Sequence, residues 1–240
     1  MRGSRSRGDE RVGRVIDDAS NRLARVQLSL WWTLVGACLL ISFTPGAGAI
    51  STMANSLAAG WARSLWGVLG QQVALVIHIL IVALGVGVLV AANHWLFNAI
   101  RWIGAAYLVF LGVRLWLDRP MGAVQLEAEV AQDAAAPASL RPWPMFRRGV
   151  LVNLTNPKAI VFFLAFMPQF IQPDAGDLLQ QYLIFTATVV VIDIVVMWFF
   201  FALAAKGLRR FMRDPKGQRL VSRIFGTLYI AVAGLLLFIA

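Results

Sequence analysis

One carboxylate stands alone in a long apolar run. Between Leu178 and Ala205 the only charged residue is Asp193. An ionised carboxylate in a hydrocarbon setting costs several kcal/mol unless it is paired, protonated or facing water. Its chemistry is therefore that of a group that exchanges a proton or holds a substrate ammonium. The plainer alternative is a carboxyl that only hydrogen-bonds neighbouring helices. His78 lies at a similar depth in another apolar run. A buried imidazole is either a proton relay or a satisfied core group. Asp193 and His78 are the candidates for proton coupling.

Two clusters suit a small zwitterion. In Thr44-Pro45-Gly46-Ala47-Gly48, proline removes a backbone donor and glycine admits unusual angles, so a helix should open there. Opened backbone at membrane depth is tolerated only against protein or a wet cavity, and the next helix would aim its positive end at that cavity. A carboxylate suits such an end. The second cluster, Asn153-Leu154-Thr155-Asn156-Pro157-Lys158, combines amides, a hydroxyl, a proline and a lysine in an otherwise apolar stretch. The alternative here is a capped helix start, with Asn156 as cap, Pro157 in the first turn and Lys158 snorkelling to lipid phosphates. Gln71 and Gln72 are adjacent amides, of which at least one should face other helices. Thr44, Pro45, Gly46, Gln71, Asn153, Asn156, Pro157 and Lys158 are the candidate substrate-binding residues.

Other chemistries lack their residues. Cys38 is the one cysteine, which excludes an internal disulfide and a CxxC centre, and with two histidines (His78, His94) no metal site or cofactor is expected. A membrane enzyme or redox carrier would need paired cysteines, a histidine cluster or paired acids in the spans, so no enzyme is expected.

The elements that must position these groups follow from composition. The chain has 240 residues, 59% hydrophobic and 14% charged, against about a quarter charged in soluble domains. This is the balance of an integral membrane protein, and the net charge of +10 reads as topology and lipid contact rather than nucleic-acid binding. A span needs about 20 apolar residues. Six stretches qualify, at roughly 28–50, 65–92, 95–117, 150–171, 178–205 and 221–240. The expected fold is all-α, with six transmembrane helices broken at Pro45 and Pro157. Residues 1–27 form a basic extension, disordered or an interfacial helix, with seven Arg against four acids. Residues 28–117 hold the first three helices, 118–146 a flexible linker rich in Ala, acids and Pro, and 147–240 the last three. The basic start, the run Leu30 to Phe43 and Ala47 with Ala49 mimic a cleaved signal. The acids in the extension and the five following spans argue against it.

With both termini outside, thirteen basic residues fall in inner loops and eight in outer segments, which the positive-inside rule favours. The arginines of the extension pull the other way. Comparison of the halves shows a repeat: Arg101-x-x-Gly104-x-x-Tyr107-Leu108-x-x-x-Gly112 returns as Arg223-x-x-Gly226-x-x-Tyr229-Ile230-x-x-x-Gly234. Pro45 and Pro157 are similarly offset. Three spans per half make the second half enter the membrane in the opposite sense, giving two inverted three-helix repeats, the architecture of alternating-access carriers. Gly85, Gly87, Gly104, Gly112, Gly226 and Gly234 are expected as helix-packing positions, and Trp31, Trp32, Trp95, Trp116 and Trp143 as interface belts.

From about residue 30 onwards the chain resembles the LysE/RhtB family of amino-acid exporters. The resemblance rests on Thr44-Pro45-Gly46-Ala47, on Gly104-Ala-Ala-Tyr-Leu108, on the long stretch from Phe146 through Asn153-Leu-Thr-Asn-Pro-Lys158 to Phe170, on Asp193, and on Leu208-Arg209-Arg210. It departs where Ala47 replaces a second proline and in the extension. The resemblance implies about six spans and export of an amino acid or close derivative, of homoserine, threonine or lysine type, across a bacterial inner membrane against protons. Expected partners are that small molecule, protons and membrane lipids, with no nucleic acid; small-residue stripes would permit a homodimer. An inorganic-ion exporter is the nearest rival, although a cation path would normally carry more than one carboxylate. A non-transporting scaffold would leave Asp193, the glutamines and both breaks unused.

Overall fold

The computed structural model describes residues 28–44, 46–92, 94–117, 126–132, 137–171 and 176–238, and the regular structure among these residues is helical. The extension 1–27 and Pro45 lie outside the described residues. Helix α1 (Leu28–Phe43) is followed by α2 (Ala47–Ala59) at a bend of 58°. Gly60, at φ 88°, ends α2 through its N–H to Ser56 O and leads into α3 (Trp61–Ala92). Next come α4 (His94–Leu117), a short α5 (126–132) and a 3-10 turn (Pro137–Leu140). Helix α6 (Pro142–Leu154) and α7 (Pro157–Phe170) form the second bent pair, again at 58°. Helix α8 (Leu178–Ile194) runs through a π-helical stretch (Val195–Ala202) into α9 (Leu203–Arg213), and α10 (Pro215–Phe238) follows.

Length decides which of these cross a bilayer. Trp61–Gly85, Asn98–Leu117, Leu178–Phe211 and Lys216–Leu237 are each long and apolar enough, which gives four spans, or up to six if each bent pair is one span. At 1.5 Å per residue the 13-residue helices α2 and α6 reach about 20 Å, short of a ~30 Å core. Neither is long enough to cross alone, so each bent pair is either one broken span or a re-entrant loop. Several helices begin earlier than the apolar runs suggest. Thus α6 starts at Pro142 rather than near 150, because a proline in the first turn and an extended Arg141 (φ −73°, ψ 156°) start it there.

Two pairs of helices form the frame. Helices α3 and α6 cross with backbone almost touching backbone: a methyl at Gly70 would lie 2.0 Å from Phe146 O, and one at Gly149 2.1 Å from Gly67 O. Helices α4 and α10 meet at the repeated glycines, where a methyl at Gly112 would lie 2.7 Å from Gly226 O. Gly104 abuts Ala165, so it too is a packing position, whereas Gly85 and Gly234 have nothing within 4 Å and are not. The repeated arginine is used only once in this way: Arg101 Nε donates to Leu236 O (3.0 Å) and its guanidinium also to Leu237 O, capping α10. In the second copy the backbone oxygen of Arg223 accepts from Trp116 Nε1 (3.0 Å).

The buried apolar residues form two clusters. One joins α1, α3, α4, α7, α8 and α10 around Leu75, Phe162, Phe163, Phe166 and Leu236. The other joins α2, α3, the π-helical stretch and α9 around Met53, Ala54, Val68, Phe201 and Ala205. The middle segment, expected as a linker, contributes α5 to the second cluster: Leu126 is buried in it and Val130 packs on it. Glu127 accepts from Arg209 Nε (2.9 Å) and from a terminal nitrogen (2.5 Å). Both side chains are partly open to solvent (28% and 41%), so the pair stabilises by only about 0–1 kcal/mol. Glu127→Gln is expected to shift the detergent melting temperature by no more than a degree or two. Leu126→Ala, which empties a buried site, should lower it clearly more.

Candidate functional site

Both helix breaks and the lone carboxylate come together. Helix α1 runs out at Phe43, where Thr44 N–H tightens the last turn onto Ile41 O (3.2 Å). Lys158 adds to this end: its ammonium donates to Ile41 O (2.8 Å) and Thr44 O (2.6 Å). At 8% exposure Lys158 is buried, so it does not snorkel to lipid phosphates. It sits in the first turn of α7, which begins as a capped start should: Pro157 opens it and Asn156 Oδ1 accepts from the backbone N–H of Lys158 (3.1 Å). The capped start expected for this cluster is present, and it aims Lys158 at the first break rather than at lipid.

An amide ladder links the breaks. Asn156 Nδ2 donates to Asn153 Oδ1 (3.3 Å), and Asn153 Nδ2 donates to Gln71 O (3.0 Å). Gln71 Nε2 donates to Gly48 O (3.1 Å) and Thr52 Oγ1 (2.9 Å), on the first turns of α2. A methyl at Gly48 would lie 2.9 Å from Gln71 Oε1, so glycine allows this approach. Thr44 Oγ1 donates back to Leu40 O (2.7 Å), leaving its backbone oxygen for Lys158.

Asp193 closes the ring from α8. It is 9% exposed; Oδ1 accepts from Ser42 Oγ (3.1 Å) and Oδ2 from Gln72 Nε2 (2.8 Å). Two hydrogen bonds to a carboxylate offset much of its desolvation. Gln72 Oε1 is buried and unpartnered. Rotating that amide would present an acceptor to a protonated Asp193, so the same two neighbours serve both protonation states.

Ser42, Gly46, Gln71, Asn153, Asn156, Lys158 and Asp193 line one cavity of about 40 Å³, room for roughly three waters at ~10–15 Å³ each. Its remaining wall is apolar: Cys38, Leu75, Phe162, Phe163 and Val189 come from the first cluster and Ala49 and Met197 from the second. Of the sequence candidates, Gly46, Gln71, Asn153, Asn156, Lys158 and Asp193 line this cavity, and Thr44 holds Lys158 beside it. Pro45 lies outside the described residues, and Pro157 starts α7 without lining the cavity.

His78 is set apart from it. Its Nε2 meets Leu154 O (3.2 Å) at the end of α6, its ring stacks on Phe163 (centroids 5.9 Å apart), and Nδ1 is buried without a partner. Ser42 and Gln72 are hydrogen-bond partners of Asp193 that sequence reasoning missed or left unassigned. Gln72 was signalled by its place beside Gln71; a serine in an apolar helix carries no comparable signal. The π-helical stretch beginning two residues after Asp193 was also unforeseen. Its carbonyls are held from outside: Trp198 O accepts from Trp61 Nε1 (3.0 Å) and Ala202 O from Ser56 Oγ (2.6 Å). Trp198 Nε1 donates back to Trp61 O (3.2 Å), with the two rings stacked 4.4 Å apart. Such stretches are frequent at functional sites.

A membrane-spanning helical bundle with two bent helix pairs around a cavity that gathers an ammonium, a carboxylate and amides is the class of protein these features define. The chain belongs to the LysE type translocator family, which matches residues 39–239. It is similar to an uncharacterized membrane protein of Vibrio cholerae, 38% identical over 88% of this chain and 98% of that one. It is also similar to the homoserine/homoserine lactone efflux protein of Salmonella typhimurium, 37% identical over 86% of this chain and 95% of that one. A leucine efflux protein of an Enterobacter strain is 26% identical over 85% and 92% respectively. No solved structure matches the chain significantly. The chain is a multi-pass membrane protein of a family of translocators.

Proposed function

We propose that the protein exports a neutral amino acid or a close derivative, such as homoserine or its lactone, across a bacterial inner membrane by proton-coupled alternating access. The observation that carries this reading is a cavity bearing one ammonium, Lys158, and one carboxylate, Asp193, beside two broken helices. A zwitterion matches that pair of charges. Its carboxylate is directed to Lys158 and the amides of Asn153 and Asn156, and its ammonium to Asp193. The names of the homoserine/homoserine lactone and leucine efflux relatives support the class of substrate.

A free amino acid is larger than three waters, so the cavity must widen to load. Equal bends of 58° at the two breaks support two inverted three-helix repeats with six spans, the distribution of basic residues supports both termini outside, and the apolar residues of the two clusters that meet at the cavity serve as its gates. Asp193 carries the proton: Ser42 and Gln72 accommodate its charged and neutral forms.

The test is a thermal-stabilisation panel on purified protein, followed by transport of the hits in proteoliposomes. Homoserine, its lactone, threonine or leucine should raise the melting temperature, and a pH gradient should drive their transport. If no amino acid stabilises the protein or moves under a gradient, the reading fails.

A further inference from the structure

The two breaks are capped from elsewhere in the fold, and the two caps differ in kind. At the α1–α2 break the cap is an ammonium, Lys158 of α7, on Ile41 O and Thr44 O. At the α6–α7 break it is an imidazole, His78 of α3, on Leu154 O. Each cap ties the open end of a helix in one half of the chain to a helix of the other half. The Lys158 tie borders the cavity; the His78 tie does not.

That difference has a chemical consequence. Lys158 has three N–H donors and two carbonyl acceptors. An ammonium binds a carboxylate more strongly than it binds neutral carbonyls, because both partners are charged and the cavity is largely apolar. We propose that Lys158 is a tie operated by the substrate carboxylate. In the empty site it clamps the end of α1 to α7, and an arriving carboxylate draws the ammonium away and frees the α1–α2 break to move. The His78 tie stays fixed, so substrate binding loosens one broken helix and not the other.

This rests on the export reading, which places a carboxylate-bearing substrate in the cavity. It makes a distinction that reading does not make: a ligand with the same ammonium but no free carboxylate should occupy the site without releasing the tie. Homoserine and homoserine lactone are such a pair.

Hydrogen exchange on the full chain in detergent tests it, followed at the backbone amides of residues 44–50 and, as a reference, of residues 154–160. Homoserine at saturation should speed exchange in 44–50 by about tenfold, the scale of losing one charged hydrogen bond. The lactone should bind, as a rise in melting temperature shows, and leave that segment unchanged. Lys158→Met without ligand should already show the faster exchange, and adding homoserine should change it little. The 154–160 segment should stay constant throughout. Equal acceleration by acid and lactone, or none by either when both bind, overturns the proposal. So does a Lys158→Met protein with wild-type exchange, a readout that needs no ligand. Should that variant not fold, the wild-type comparison of the two ligands decides alone. Failure of every amino acid to bind, with Lys158→Met still loosening 44–50, would sink the export reading while leaving the tie itself standing as a structural clamp without its trigger, and the carboxylate-operated tie would then be rejected.

Discussion

Asp193→Asn is expected to abolish transport driven by a pH gradient while leaving the fold intact. The substitution keeps the shape and removes the charge. Asparagine Oδ1 can accept from Ser42 as the carboxylate does. Its amide nitrogen would face Gln72 Nε2, a donor against a donor, but Gln72 Oε1 is buried and unpartnered. Turning that amide over restores a hydrogen bond at little cost. The melting temperature should therefore stay near wild type, whereas gradient-driven uptake into proteoliposomes should fall on the order of a hundredfold or more. Substrate exchange at equal pH on the two sides should be less affected, since it needs no net proton movement. Asp193→Leu is the contrasting variant: it leaves Ser42 and Gln72 buried without their acceptor and should cost stability as well. Gradient-driven uptake at the wild-type rate in the asparagine variant would remove Asp193 from the coupling mechanism.

The largest effect on stability is expected at the α3–α6 crossing. An alanine methyl at Gly70 would lie 2.0 Å from Phe146 O, and one at Gly149 2.1 Å from Gly67 O. The obstructing atoms are backbone, so no rotamer change relieves them and the helices must separate. Overpacking of this kind costs about 1–3 kcal/mol or more. Close glycine contacts are also what holds membrane helices together, because burial from lipid adds little. Gly70→Ala and Gly149→Ala should each lower the detergent melting temperature by roughly 5–10 °C, or yield aggregated protein on size exclusion. Gly234→Ala and Gly85→Ala meet nothing within 4 Å and serve as controls. A Gly70→Ala protein as stable as Gly234→Ala would show that the crossing is looser than described.

The sequence already located the carboxylate, both helix breaks and most of the polar cavity lining. Those features are legible because a charge, a proline or an amide is improbable in hydrocarbon unless something needs it there. Asp193, Asn153, Asn156 and Lys158 all announced themselves in this way. What could not be read was direction. Lys158 near a helix start fits a lipid phosphate and an internal carbonyl equally well, and only the path of α1 decides for Ile41 and Thr44. His78 shared an apparent depth with Asp193, yet depth along a helix says nothing about which side of it a residue faces; its ring turns to Leu154 and Phe163. Glycine was the least legible type. Gly234 repeats Gly112 in the sequence, but only Gly112 meets a neighbour's backbone, because packing depends on the second surface. Composition read the middle segment, with its Ala, acids and Pro, as a flexible linker; it carried no signal for the short helix at 126–132, whose Leu126 and Val130 join the apolar cluster of α2, α3 and α9.

The π-helical stretch sets the angular phase of everything beyond it. A wider turn after Asp193 offsets α9 from the line that an unbroken α-helix would follow. Each residue of helix accounts for about 100° of rotation, so a one-residue shortening of Val195–Ala202 would swing α9 by more than a quarter turn. Ala205 would leave its buried place and Arg209 would face away from Glu127. The stretch thus behaves as a spacer of orientation rather than of length, and it is why an acid in the bundle centre and a basic helix at the bundle's end can each face the correct neighbours along one continuous rod.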